Sequence, residues 1–293
     1  MDRSARSKIM LAVSMIVFGT VGIFVRHIPL ASSEIALYRS LLAVILIGAF
    51  LIFMPKARRT PIAILLRALP LLIASGAALG FNWLLLFEAY KHTTISRATL
   101  AYYFAPILVT LLSIFLFGEK MNTKKWFCLA LSALGIVMIS GIGGATGSNH
   151  LLGALLGLAA ACLYAAVVLI NKFIHDVDDI SRTFLQFVTA ALVLLPYTAL
   201  SGGFHLFELQ ALPMATLLTV GILHTGITYC IYFSSIKNVS GQAVALMSYI
   251  DPLVAVVCSA LFLKERITAI EIIGGLLIIG SALLNEIRPK QNK

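Results

Sequence analysis

Apolar runs long enough to cross a lipid bilayer, separated by short polar breaks, fill most of this 293-residue chain. A helix rises about 1.5 Å per residue, so a hydrocarbon layer about 30 Å thick takes roughly 20 mainly apolar residues. Inside that layer every backbone N–H and C=O needs a partner within the protein, which leaves helices or closed barrels. Barrel strands would show as short segments of alternating polarity, and this sequence has none. The composition agrees, with 60% hydrophobic and only 12% charged residues, about half the charged share of a soluble domain.

Reading the runs between breaks predicts ten membrane helices, at 8–27, 34–54, 66–88, 95–117, 126–142, 151–171, 182–200, 212–234, 239–263 and 267–285. No linker is long enough to hold a soluble domain. The basic N-terminus, Arg3 to Lys8, precedes an apolar stretch too long for a signal peptide, so it reads as a retained first helix. Cys128, Cys162, Cys230 and Cys258 all fall within apolar runs and lack metal-ligand spacing, which predicts packed thiols, no metal and no cofactor.

The net charge of +10 sits in short loops between apolar spans, which fits lipid headgroups and argues against nucleic acid. With the N-terminus inside, 16 Lys and Arg fall on the cytoplasmic side, against six outside at Arg26, Arg39, Lys91, Arg97, Lys264 and Arg266. The positive-inside rule then predicts a multi-pass protein of the cytoplasmic membrane (plasma or bacterial inner), with both termini cytoplasmic.

Shifting the chain by 146 residues brings like onto like. Lys91, Leu100, Tyr103, Pro106, Ser113 and Glu119 fall on Lys237, Leu246, Tyr249, Pro252, Ser259 and Glu265. At the same offset Phe18 meets Tyr164, Arg26 meets Lys172, Trp83 meets Tyr229, and Asn82 meets Thr228. Five spans per half is an odd number, so the halves insert with opposite topology, as in the inverted repeats of secondary transporters. The predicted fold class is therefore all-α integral membrane, ten transmembrane helices as two five-helix inverted repeats. The predicted repeats are 1–146 and 147–293, together one membrane domain. Both halves lie in one chain, so a working monomer is expected.

The stretch Ala101 to Asn122, containing Pro106 and ending Gly118-Glu119-Lys120-Met121-Asn122, resembles the EamA repeat of the drug/metabolite transporter superfamily. Its echo, Tyr249 to Thr268 with Pro252 and Glu265, resembles it too, except that Lys264 stands where the family has Gly. The resemblance spans essentially the whole chain. It implies ten helices around a central cavity lined mainly by spans 1, 3, 4, 6, 8 and 9, and export of amino acids or other small metabolites. It identifies a fold and leaves the substrate open.

Polar groups placed in hydrocarbon usually face a bundle interior or a wet cavity, and so mark candidate sites. Asp251 precedes Pro252 midway along span 9, where a proline frees a backbone carbonyl and bends the helix. It is the candidate for proton coupling, the alternative being a hydrogen bond that only holds the kink. His224, Thr228 and Tyr232 share an α-helical face at i, i+4 and i+8; His224 either exchanges protons with Asp251 or closes an interhelical hydrogen bond. Asn82 matches Thr228 in the repeat. Trp83, Tyr103, Tyr164, Tyr229, Tyr232 and Tyr249 either stack on a substrate or fill the core. Glu88 and Arg97 either pair as a gate or anchor span ends. Glu119 and Glu265 read as structural salt-bridge positions, and the Gly76…Gly80 and Gly153…Gly157 patterns as close packing.

These features predict a secondary transporter working by alternating access, most simply proton-coupled efflux of a small organic metabolite such as an amino acid or amine. A flippase for lipid or lipid-linked sugar remains the alternative within transport. A channel is a further alternative. A membrane-embedded enzyme lacks any nucleophile, metal or phosphate motif in the sequence, and no P-loop provides direct ATP drive.

Overall fold

The computed structural model describes residues 3–53, 60–118, 122–140 and 150–286. Among them all regular structure is helical: α1 (Arg3–Arg26), α2 (Ser32–Phe53), α3 (Ile62–His92), α4 (Ile95–Tyr102), α5 (Ala105–Phe117), α6 (Thr123–Ile139), α7 (His150–Asn171), α8 (Asp179–Ser201), α9 (Ala211–Thr219), α10 (Thr228–Ile236), α11 (Gly241–Ser248), α12 (Ile250–Phe262) and α13 (Ala269–Glu286). A π-helical stretch, Val220–Ile227, joins α9 to α10. Seven membrane-length apolar helices are present, α4–α5 and α9–α10 each counting as one, with shorter apolar helices at Leu246–Phe262 and Ala269–Asn285. The 17-residue α6 completes the ten predicted spans.

Spans 4 and 9 are broken rather than bent. The chain leaves helical pairing at Tyr103 and Phe104 and again at Tyr249, and a new helix starts on Ala105-Pro106 or Ile250-Asp251-Pro252. Proline in a first helical turn has its φ preset and lacks an N–H that would be unpaired there anyway, so each proline restarts a helix.

The packing is unchanged in pattern when the halves are exchanged. α3 packs on α7 as α1 packs on α10, α3 on α8 as α2 on the π stretch, and α7 on α4 and α5 as α1 on α11 and α12. α2–α8 and α6–α13 map onto themselves. One core cluster draws residues from both halves, including Ile35, Phe87, Phe187 and Val220, so the repeats interleave into a single body. Close approaches occur at the small-residue patterns, with Gly76 against the Gln186 carbonyl and Gly157 against that of Ala98.

The outer surface is apolar. Ile45, Ile52, Phe53, Phe115, Leu200, Leu212, Phe262 and Leu276 all stand exposed, as hydrocarbon-facing side chains do. Polar side chains turn inward and bond between helices: Gln186 donates to Ser75 and Asn171, both at 2.7 Å, and Ser132 pairs with Ser281 across α6 and α13. One expectation from the loop charges is corrected. Arg39 is no outer-loop residue but lies in α2, 5% exposed, so it leaves the topology tally.

Candidate functional site

The two helix breaks meet at the centre of the molecule. The Tyr103 hydroxyl donates to the Ser248 carbonyl at 3.3 Å and lies within hydrogen-bonding reach of the Asp251 carboxylate. The rings of Tyr103 and Tyr249, equivalent in the repeat, stand 6.3 Å apart between centroids. Asp251 falls in the first turn of α12, where a helix dipole favours negative charge. Breaking the helix thus places a carboxylate, a freed carbonyl and two phenols together on one cavity wall.

Around them lies a cavity of about 590 Å³, within the range of small-molecule sites. Its walls come from both halves, and among the predicted site residues Trp83, Tyr103, Tyr164, Tyr232, Tyr249 and Asp251 line it. An aromatic shell continues through Phe18–Tyr229 at 5.0 Å, Trp83–Phe187 at 5.1 Å, Phe187–Tyr229 at 5.2 Å and Tyr102–Tyr164 at 5.5 Å. These are edge-on or tilted contacts, the arrangement ring quadrupoles prefer.

Asn82, His224 and Thr228 do not line it. Asn82 is fully buried and donates to the Ala160 carbonyl at 2.6 Å, tying α3 to α7. His224 packs behind the wall, its Nε2 3.0 Å from the Thr20 hydroxyl and its ring 4.7 Å from Phe24. The Thr228 hydroxyl bonds the Leu223 carbonyl five residues back, as Thr225 bonds Val220. The π turn explains the difference. With pairing at i→i+5, residues four apart no longer share the face they would share in an α-helix. His224 and Thr228 rotate behind the wall, while Tyr229 and Tyr232 face the cavity.

Glu88 and Arg97 do not pair with each other. Glu88 accepts from Ser32 at 2.6 Å and lies 3.6 Å from Lys91 and 3.3 Å from His92. Arg97 instead pairs with Glu271 of α13, across the halves. Glu265 acts as a cap, not an ion-pair partner, among the described residues. Its carboxylate accepts from the backbone N–H of Ile95 at 3.0 Å and of Ser96 at 3.5 Å, at the start of α4. Ser96 also bonds Ser259 at 2.6 Å. Glu265, Ser96–Ser259 and Arg97–Glu271 therefore bolt the halves together at one end. Glu119, the repeat partner of Glu265, lies outside the described residues.

Several cavity residues were not anticipated: Arg39, Tyr102, Phe18, Phe187 and Gln186. Arg39 was the most findable, being a charge inside the apolar run 34–54, and intramembrane charges mark functional sites by default. Two groups beyond the spans also carry shifted protonation. Asp178 caps α8, and although burial opposes it, hydrogen bonds from Ser181, Thr60 and Ile180 hold its carboxyl below the usual range. His205 hydrogen-bonds the Glu34 carboxylate, whose acceptance and charge raise the imidazole above its ordinary value. All four cysteines are free, and among the described residues no His, Cys, Asp and Glu cluster fits a metal.

Comparison with known proteins follows the same architecture. The uncharacterized transporter YxxF of Bacillus subtilis (strain 168) is 30% identical over 282 residues, covering 96% of this chain and 89% of that one. An Escherichia coli (strain K12) protein described as a probable amino-acid metabolite efflux pump is 26% identical over 186 residues, 60% of this chain and 62% of that one. A solved crystal structure superposes with a TM-score of 0.62 at 18% identity, over 96% of each chain, a likeness of fold. The EamA-like transporter family matches residues 6–141 and again residues 151–286. A twofold match, an exchange-symmetric helix packing and a cavity walled by both halves agree: the chain is a multi-pass membrane protein that belongs to the EamA-like transporter family.

Proposed function

We propose that the chain is a secondary transporter that exports a small organic metabolite by alternating access, coupled to protons at Asp251. The observation that carries this reading is the position of Asp251, at a helix break and on the wall of a cavity both halves enclose. Discontinuous helices at the interface of inverted repeats are where such transporters place substrate and coupling ion. Trp83, Tyr103, Tyr164, Tyr232 and Tyr249 form the substrate wall. His224 supports that wall from behind through Thr20. The halves, 1–146 and 147–293 with their junction outside the described residues, rock about the cavity. Opening the end closed by Glu265, Ser96–Ser259 and Arg97–Glu271 requires those cross-half contacts to break. The positive-inside asymmetry, 16 against five once Arg39 is removed from the tally, supports cytoplasmic termini in a cytoplasmic membrane.

The test loads proteoliposomes with a pooled panel of amino acids, amines and organic acids, imposes a pH gradient, and reads by mass spectrometry what leaves. Selective release that the gradient accelerates and Asp251→Asn abolishes supports the proposal. Equal release by that variant with unchanged pH dependence removes the coupling role. No release from folded protein overturns the small-metabolite reading.

A further inference from the structure

We infer that Arg39 is the substrate-recognition cation of the cavity and binds the carboxylate of a small, largely apolar organic acid. This rests on the transporter reading and specifies its substrate class. Arg39 sits seven residues beyond the start of α2 at Ser32, about 10 Å along the helix axis. It is 5% exposed and on the cavity wall. A charge at such a position is costly unless something compensates it.

The protein compensates it only in part. The Nε–H donates to the Thr225 hydroxyl at 2.7 Å, an oxygen offered by the π turn. The guanidinium lies 4.2 Å from the Trp83 ring centroid and 5.5 Å from that of Phe87, both within cation–π range. Among the described residues no carboxylate lies within ion-pair distance of it, and no hydrogen bond from its two Nη groups is made to protein. The other charged groups on the wall are engaged, Arg182 by Asp179 and Asp251 by Tyr103. Nε is anchored and Trp83 lies against the guanidinium, so the pair of Nη groups is what remains for an occupant. That planar fork matches a carboxylate bidentately.

The repeat argues against a purely architectural arginine. α2 and α8 are equivalent and pack on each other, and counted from their first residues, Ser32 and Asp179, the position matching Arg39 is Gln186, which also lines the cavity. The fold accepts an uncharged residue there. Among the described residues Arg39 is the cavity cation left without a carboxylate partner, and, sharing its cavity with Asp251, it suits a monoanion better than a doubly charged phosphate. The rest of the wall, with Phe18, Tyr102, Tyr164, Phe187 and Tyr229, suits an apolar body.

Trp83 supplies the readout. The chain has two tryptophans, and Trp126 stands exposed on the lipid-facing surface. Full-length protein carrying Trp126→Phe is titrated with 3-phenylpropionate, 4-methylpentanoate, L-phenylalanine, 2-phenylethylamine and phenyl phosphate while Trp83 emission is followed. The three carboxylates are expected to give saturable changes and the amine none. Arg39→Gln is expected to weaken carboxylate binding on the order of 100-fold, with Arg39→Lys intermediate because it keeps the charge and loses the fork. Thermal unfolding establishes that each variant is folded; if Arg39→Gln is not, Arg39→Lys and the ligand series decide. The inference is overturned if the amine or phenyl phosphate binds as tightly as the acids, if folded Arg39→Gln binds the acids unchanged, or if no carboxylate binds. Equilibrium binding needs neither gradient nor turnover. Carboxylate binding without transport would therefore overturn the transport reading alone, and transport without carboxylate binding would overturn this inference alone.

Discussion

Replacing Lys264 with glycine is expected to stabilise the protein because of one backbone angle. Lys264 has φ of 54°, and its repeat partner Gly118 has φ of 64°, so both halves end their broken span with a left-handed residue. An L-residue in that region carries a penalty of about 1–2 kcal/mol from its Cβ. Glycine escapes the penalty and loses about 0.5–1 kcal/mol more chain entropy on folding. The difference favours glycine by about 0.5–1 kcal/mol, which raises Tm by roughly 1–3 °C for a chain of this size. Gly118→Ala runs the same comparison backwards; a Cβ there meets nothing within 4 Å, so the loss is backbone strain alone. Lys264→Ala and Lys264→Asn complete the series, read by thermal unfolding in detergent. The expected order is Gly above Asn, with Ala close to the parent, since asparagine tolerates this region better than alanine. If Lys264→Ala stabilises as much as Lys264→Gly, the gain comes from removing a charge and the backbone reasoning is wrong.

Glu265→Ala strips the acceptor from the Ile95 N–H and is expected to cost about 1–3 kcal/mol. Glu265→Gln, which keeps an acceptor and loses the charge at a helix start, should cost about 0.3–1 kcal/mol; equal Tm losses for the two would refute the capping role. His205 contributes stability at low pH because its pKa is raised by the hydrogen bond to Glu34 and by that carboxylate's charge. That contribution is complete below the unfolded histidine value, about 6.5, and disappears as pH rises through the higher folded value. His205→Gln should therefore lower Tm more at pH 5.5 than at pH 8.5, and an equal loss at both would remove the protonation argument.

The interleaved packing shows why a duplicated chain need not have a symmetric site. Arg39 faces the cavity from the first half and Asp251 from the second, and their repeat partners are the uncharged Gln186 and Ala105. Helix packing and the left-handed residues that end spans 4 and 9 follow the repeat, whereas the charges on the cavity wall depart from it.

Sequence by itself determined the membrane-spanning class, the ten spans and the repeat. Hydrocarbon forces satisfied backbone and long apolar runs, and both constraints are local in the chain. The same offset paired Tyr103 with Tyr249, Pro106 with Pro252 and the glycine position with Lys264, all of which occupy equivalent places in the fold. Only the tertiary structure decided which side of each span faces the cavity. An all-round apolar helix carries little periodic signal, so the inward face depends on its neighbours. The π turn rotated His224 and Thr228 behind the wall, and the packing of α2 against α8 turned Arg39 from an apparent loop charge into a cavity cation. Glu265 became a cap for α4, 170 residues away in the chain, because helix ends from opposite halves meet in three dimensions. Local pattern says which residues tolerate the membrane; the distant partners that satisfy their polar atoms exist only once the helices have assembled.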